Sequence, residues 1–165
     1  MKTVNGDLIE LAKKGEFDVI VHGNNCYNDM NKGIAKSIKQ NFPGAFKVDN
    51  STIKGDKGKI GTYTFSLEEN DQGGDLIVVN AYTQYNFWEK RDLFEYDGFG
   101  KILDKLAFEF KGKRFGLPLI GCGLAGGNKA RILGMIEQKL VPHADVTIVE
   151  FTDPKDKFGA KFDKK

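Results

Sequence analysis

The sequence predicts an α/β fold: a three-layer α/β/α sandwich with a mixed, mainly parallel central sheet. Three observations carry this expectation. Strand-type and helix-type segments alternate over most of the chain. Four strand segments, at 17–22, 76–80, 115–120 and 146–151, are near-continuous apolar runs, as expected of strands covered on both faces. One further strand, 60–66, is joined to 76–80 by a polar turn with no helix between them, which adds an antiparallel pair.

Taken in order, Gly6-Asp7 closes a short apolar start, and Asp7 is a good N-cap. Leu8, Ile9, Leu11 and Ala12 form the apolar face of a first helix, and Lys13-Lys14-Gly15 reads as its C-terminus. The 17–22 strand runs into a polar, Asn-rich stretch from Gly23 to Gly33. That loop is too long for a minimal strand-to-helix turn, and long loops in compact domains are often functional. Ile34, Ala35, Ile38 and Phe42 follow at helical spacing, and Pro43-Gly44 is expected to end that helix. Residues 54–59 read as a charged turn, 60–66 as a strand with one wet face, and 81–88 as a polar, aromatic loop after the 76–80 strand. Ile102, Leu103, Leu106, Ala107 and Phe110 mark an amphipathic helix ended by Gly112. The 115–120 strand breaks into Gly121-Cys122-Gly123-Leu124-Ala125-Gly126-Gly127, with four glycines in seven residues. Ile132, Leu133, Ile136 and Leu140 then mark a last helix, stopped by Pro142, before the 146–151 strand.

At 165 residues, with 40% hydrophobic and 29% charged residues, the chain suits one soluble globular domain. We place that domain at 1–152 and a charged C-terminal tail at 153–165. A net charge of +2 does not make the whole molecule an electrostatic trap. No specific nucleic-acid partner and no membrane partner are expected, and the chain is read as a monomer. Cys26 and Cys122 are the only cysteines, in neither metal-site nor disulfide-scaffold spacing. With no signal-peptide apolar region at the N-terminus, the expected location is the cytoplasm, or the host cytoplasm if the protein is viral.

In open α/β sheets, ligands bind beyond the C-terminal strand ends. The loops after His22, Asn80, Ile120 and Phe151 meet there. A strand, a glycine loop and a helix start aim backbone N–H groups at an anion, with the positive end of the helix dipole behind them. The same glycines can equally serve tight packing. Asn25 offers paired donor and acceptor groups for a sugar hydroxyl or a water, or it closes an Asx-turn of its own loop. His22 can act as general acid or base, or be a satisfied structural histidine. Asp29 can orient a water, or be an exposed loop carboxylate. Phe151 can stack on a base, or pack in the core. Cys26 with His22 would be a nucleophilic pair only if something activated the thiol. No metal-ligand spacing, no phosphate-binding GxxxxGK[ST] and no dinucleotide GxGxxG after the first strand occurs. No metal or cofactor is therefore expected.

Taken together, these segments resemble the macro domain, an ADP-ribose-binding α/β/α module, over nearly the whole chain. Gly6-Asp7-Leu8 resembles the Gly-Asp-Ile start, whose Asp holds the adenine amino group in that family. Val21-His22-Gly23-Asn24-Asn25 resembles Val-Asn-Ala-Ala-Asn, whose last Asn holds the distal ribose. Gly33-Ile34-Ala35 resembles the end of the Gly-Gly-Gly-Val-Ala turn. Gly121-Cys122-Gly123-Leu124-Ala125-Gly126 resembles the Gly-Thr-Gly-Ile-Tyr-Gly diphosphate loop, and Val149-Glu150-Phe151 the last strand with its adenine-side aromatic. The resemblance implies Asp7, Leu8, Asn25, Gly33, Ile34, Gly121, Cys122, Gly123, Leu124, Ala125 and Phe151 as ligand-binding residues, with Asn25, His22 and Asp29 nearest the chemistry. The loops are most similar to the branch that hydrolyses ADP-ribose 1″-phosphate to ADP-ribose and phosphate. A non-catalytic reader of ADP-ribose or ADP-ribosylated protein, and an ADP-ribosyl-protein hydrolase, are the alternatives. Relatives that deacylate ADP-ribose carry a Lys and an Asp where Gln84 and Ala125 stand here. Phosphatase-like relatives often carry Asp-Trp where Asn128-Lys129 stands, and the glycine triplet is reduced to Asn31-Lys32-Gly33.

Overall fold

The computed structural model describes residues 1–89, 92–123 and 125–152. In chain order its elements are β1 (Lys2–Gly6), α1 (Leu8–Lys13), β2 (Val19–Asn24), α2 (Gly33–Asn41), α3 (Pro43–Asn50), β3 (Tyr63–Glu69), β4 (Asp75–Tyr82), α4 (Tyr96–Glu109), β5 (Arg114–Leu117), α5 (Lys129–Lys139) and β6 (Asp145–Phe151). The strands form a 6-stranded sheet in the order β1-β6-β5-β2-β4-β3. Neighbours are parallel, except that β3 runs antiparallel to β4. This is the mixed, mainly parallel sheet expected from the alternation of elements.

The apolar strands bury both faces. Ile20, Leu76 and Val78 pack with Leu8, Ile9, Ala12, Ile38 and Ala45 from α1, α2 and α3. Val19, Val21, Val79, Phe115, Leu117 and Ile148 pack on the other face with Phe99, Ile102, Leu106, Ile132 and Ile136 from α4 and α5. Period-two alternation along β2 thus feeds two cores, one per face. At the opposite end from the candidate site, Arg114 grips Asp18 through its backbone N–H and its guanidinium. That clamp ties the start of β5 to the residue preceding β2.

The structure differs from expectation at several element boundaries. β3 runs from Tyr63 to Glu69 rather than over 60–66, because Ile60 and Thr62 N–H groups close turns onto the Lys57 and Lys59 carbonyls. Pro43 does end α2, but it also opens α3 at its first turn. A proline there gives up only an N–H that a helix start leaves unpaired, so it starts a helix as readily as it stops one. β5 stops at Leu117 rather than at 120, because Pro118 lacks a ladder donor and Ile120 N–H turns back to the Pro118 carbonyl. α4 begins at Tyr96, where Gly98 and Gly100 are buried. A Cβ on Gly98 would meet the Gly61 backbone nitrogen at 3.1 Å, so that end of α4 lies too close to the β3 approach for an apolar pattern to show. The expected tail at 153–165 lies outside the described residues.

Candidate functional site

Because β1, β6, β5, β2 and β4 are parallel, their C-terminal ends share one edge of the sheet. The loops after them enclose one groove with two chambers. The first, of about 600 Å³, is lined by Asp7, Leu8, Ile9, Ser37, Cys122, Val149 and Phe151. The second, of about 370 Å³, is lined by Asn24, Asn25, Asp29, Lys32, Thr83, Gln84, Phe87, Gly121 and Ala125, among others. Gly33, Ile34, Pro118, Leu119 and Gly123 line both. They form a waist between an apolar chamber and a polar one.

Two groups of backbone donors meet at that waist. Within the glycine loop, the N–H groups of Cys122, Gly126 and Gly127 donate to the carbonyls of Leu119, Gly123 and Gly121. Among the described residues, those of Gly121 and Gly123 have no protein acceptor. Across the groove, α2 starts at Gly33 with no side-chain cap from Lys32. Its first-turn N–H groups are left for solvent or a ligand, and the helix dipole adds partial positive charge. A Cβ on Gly33 or Gly123 would touch nothing within 4 Å among the described residues. Both glycines border free groove. The other loop glycines answer to the fold. Gly121 has φ +73°, and a Cβ there would lie 2.2 Å from the Phe94 ring. A Cβ on Gly127 would lie 2.7 Å from the Gly121 carbonyl oxygen.

At the apolar end, Asp7 caps α1 with Oδ1, accepting from Ile9 N–H at 2.9 Å and Glu10 N–H at 3.2 Å. Among the described residues, Oδ2 has no partner. Phe151 lines this chamber and is 71% exposed as a residue, which removes the core-packing reading for it. Beside it, Lys129 pairs with Glu150 at 3.0 Å.

At the polar end, Asn25 is both a groove residue and an Asx-turn. Its Oδ1 accepts from Tyr27 N–H at 2.8 Å, and its Nδ2 donates to the Asp29 carbonyl at 3.0 Å. One Nδ2 hydrogen and one Oδ1 lone pair remain for a ligand. Asp29 lies near the rim, its carboxylate accepting from the Asn31 backbone and side chain. Gln84 lines the chamber, but its Nε2 donates to the Asn86 carbonyl at 2.7 Å.

His22 does not join them. It is fully buried under the sheet edge, and its Nε2 lies 2.7 Å from Asn80 Oδ1. Asn80 Nδ2 in turn donates to the Ala45 carbonyl on α3. Burial pushes the imidazole down to about 4, against weaker opposing hydrogen bonds from Asn80 and Gly23. Period-two alternation explains this: His22 shares a face with Ile20, facing α3 rather than the groove. The expectation of a catalytic role for His22 is therefore corrected. Nor does His22 form a pair with Cys26, whose Sγ donates to the Gln84 carbonyl at 3.5 Å and whose thiol burial pushes up to about 11. Leu124 lies outside the described residues. Phe87, from the aromatic loop expected to line or cover a pocket, lines the polar chamber, whereas Pro118 and Leu119 were not among the expected ligand residues. The proline that shortens β5 was the available signal for these two. Asn128 caps α5 by accepting from Arg131 N–H at 2.9 Å, so its side chain serves the helix.

No family model matches the sequence. An uncharacterized 17.5 kDa protein of bacteriophage T4, encoded in the tk-vs intergenic region, is 28% identical over 142 residues, 83% of this chain and 88% of its own. Among solved structures, the Mycobacterium tuberculosis DarG macrodomain is similar with a TM-score of 0.66 and 21% identity, over 90% of this chain and 95% of that one. Thermosipho africanus DarTG, solved in complex with ADP-ribose, is similar at 0.68 and 16%, over 98% of this chain and 46% of that one. The Trypanosoma brucei macrodomain, also solved with ADP-ribose, is similar at 0.62 and 16%, over 93% and 64%. The chain has the macrodomain fold.

Proposed function

We propose that the groove binds ADP-ribose and that the protein hydrolyses the phosphate of ADP-ribose 1″-phosphate. The observation that carries this reading is the donor-lined waist between an apolar and a polar chamber. Adenine fits the apolar end, against Phe151 and the free Oδ2 of Asp7. The diphosphate sits at the waist, on N–H groups from Gly121, Gly123 and the start of α2. The distal ribose reaches Asn25 in the polar chamber. Macrodomain neighbours solved with ADP-ribose support the ligand assignment.

In the reaction, a water attacks phosphorus, the bond from phosphorus to the C1″ oxygen breaks, and that oxygen takes a proton as ADP-ribose leaves. With His22 buried elsewhere, the groups at the polar end suited to help are Asp29 and Lys32. Asp29 accepts a proton from the water or orients it, and the Lys32 ammonium offsets charge on the phosphate. Positioning and charge stabilisation are sufficient for a slow phosphoryl transfer without a covalent intermediate. Phosphate release from ADP-ribose 1″-phosphate is the test. We expect release by the wild type, with losses in Asn25→Ala and Asp29→Asn. No release above the Asn25→Ala background would sink the enzymatic reading.

A second reading, a reader that binds ADP-ribose without turnover, is favoured by one observation. Asn25 and Gln84 already use their amides within their own loops. Calorimetric binding of ADP-ribose together with no phosphate release would select it.

A further inference from the structure

Behind the turn from Asn25 to Asp29 lies a buried polar cluster that the proposed reaction does not use. Lys59 is 7% exposed. Its Nζ donates to Asn28 Oδ1 and to Thr52 Oγ1, each at 2.8 Å. Thr52 passes its own hydroxyl hydrogen to the Asp49 carbonyl at 2.6 Å, and its carbonyl accepts from Asn28 Nδ2 at 3.0 Å. Asp49, fully buried on α3, accepts from Tyr82 Oη at 2.7 Å. Among the described residues, Lys59 has no carboxylate within ion-pair distance. The direct hydrogen bonds of this buried ammonium go to neutral acceptors, with the Asp49 carboxylate attracting it only from beyond ion-pair distance, which is a poor way to stabilise a fold. Its partners show what it does hold.

Asn28 is the one non-glycine described residue with positive φ, at 55°. It sits inside the bracket that the Asn25 carboxamide makes, between Tyr27 N–H and the Asp29 carbonyl. Any shift of Asn28 moves one end of that bracket. We propose that Lys59 is a positioning residue for the distal-ribose chamber: by anchoring Asn28 it fixes the Asp29 carbonyl and hence the orientation of the Asn25 carboxamide. The inference rests on the ADP-ribose reading of the groove.

ADP reaches only the apolar chamber and the waist, whereas ADP-ribose also enters the polar one. Calorimetry with both ligands therefore isolates the distal contribution as the ratio of their Kd values. In Lys59→Met and Asn28→Gly, ADP should bind as to wild type and ADP-ribose about tenfold more weakly, the equivalent of one lost hydrogen bond. Thr52→Ser, which keeps the hydroxyl, should preserve the wild-type ratio. A merely structural Lys59 would lower Tm and leave the ratio unmoved, and that result overturns the proposal. Glycine suits φ 55° at position 28, so Asn28→Gly carries the test should Lys59→Met fail to fold. Wild-type protein that binds neither ligand would overturn the ADP-ribose reading and this inference with it. Wild-type protein that binds both equally would overturn this inference alone.

Discussion

The glycine loop between β5 and α5 divides its residues between fold and ligand. Gly121 and Gly127 are required by close packing, while Gly123 borders open groove. A sequence shows four equivalent glycines, and only the neighbours of each missing Cβ tell them apart. Gly123 does not need a positive φ, so Gly123→Val should fold with nearly unchanged Tm. It should also lose most ADP-ribose affinity, because its methyls occupy the waist. Thermal melts and calorimetry on one preparation check both halves. Phe151→Ala should cost little stability, since the residue is already exposed, and should weaken ADP-ribose binding by about fivefold to tenfold, the equivalent of one stacking contact of roughly 1 kcal/mol. His22 makes an opposite prediction. An unfolded chain protonates it near pH 6.5, whereas the folded chain refuses the proton until about pH 4. Between those values the unfolded state binds more protons, so stability falls as pH falls, by on the order of 3 kcal/mol in all. His22→Gln should flatten that part of the stability profile and leave ADP-ribose binding unchanged. Denaturant melts from pH 7 to pH 4 would show it.

At the scale of elements, β2, β4, the first helix and the last strand were legible in the sequence, because their apolar periodicity is set by burial on known faces. Period-two alternation sets His22 on the Ile20 face beneath the sheet edge, but Asn25 lies beyond the last β2 residue, where strand periodicity no longer directs a side chain. The change happens where β2 ends at Asn24 and the Asx-turn begins, and that break depends on tertiary hydrogen bonds such as Cys26 N–H to the Tyr85 carbonyl. α3 was hidden for a different reason, since proline signals both the end and the start of a helix. Asn128, where the resemblance drawn from the sequence would place an Asp, is a helix cap in this chain. Asn128→Ala should therefore cost about 1 kcal/mol of stability, a fall in Tm of roughly 2–4 °C for a chain of this size. Phosphate release at temperatures well below the melt should not change.

For the whole molecule, the sheet order matters more than any one contact. Parallel pairing gathers the ends of β1, β2, β4, β5 and β6 at one edge, so residues as distant as Asp7 and Phe151 meet in one chamber. A ligand that spans both chambers links loops from both halves of the chain. ADP-ribose at a hundred times its Kd should raise stability by about 2.7 kcal/mol, readable as an upward shift in Tm. A shift no larger than that produced by adenosine at the same concentration would show that the diphosphate and distal ribose contribute nothing.

The shared waist has a consequence for smaller molecules. The two chambers look like independent sites, one for a nucleoside and one for a sugar, and fragments of the ligand would be expected to fill them together. Yet each fragment that carries a phosphate must bring it to the same N–H groups, between Gly33 and Gly123. ADP and ribose 5-phosphate should therefore exclude each other despite having separate pockets for their remaining parts, whereas adenosine, which brings no charge to the waist, should leave room for the sugar phosphate beside it.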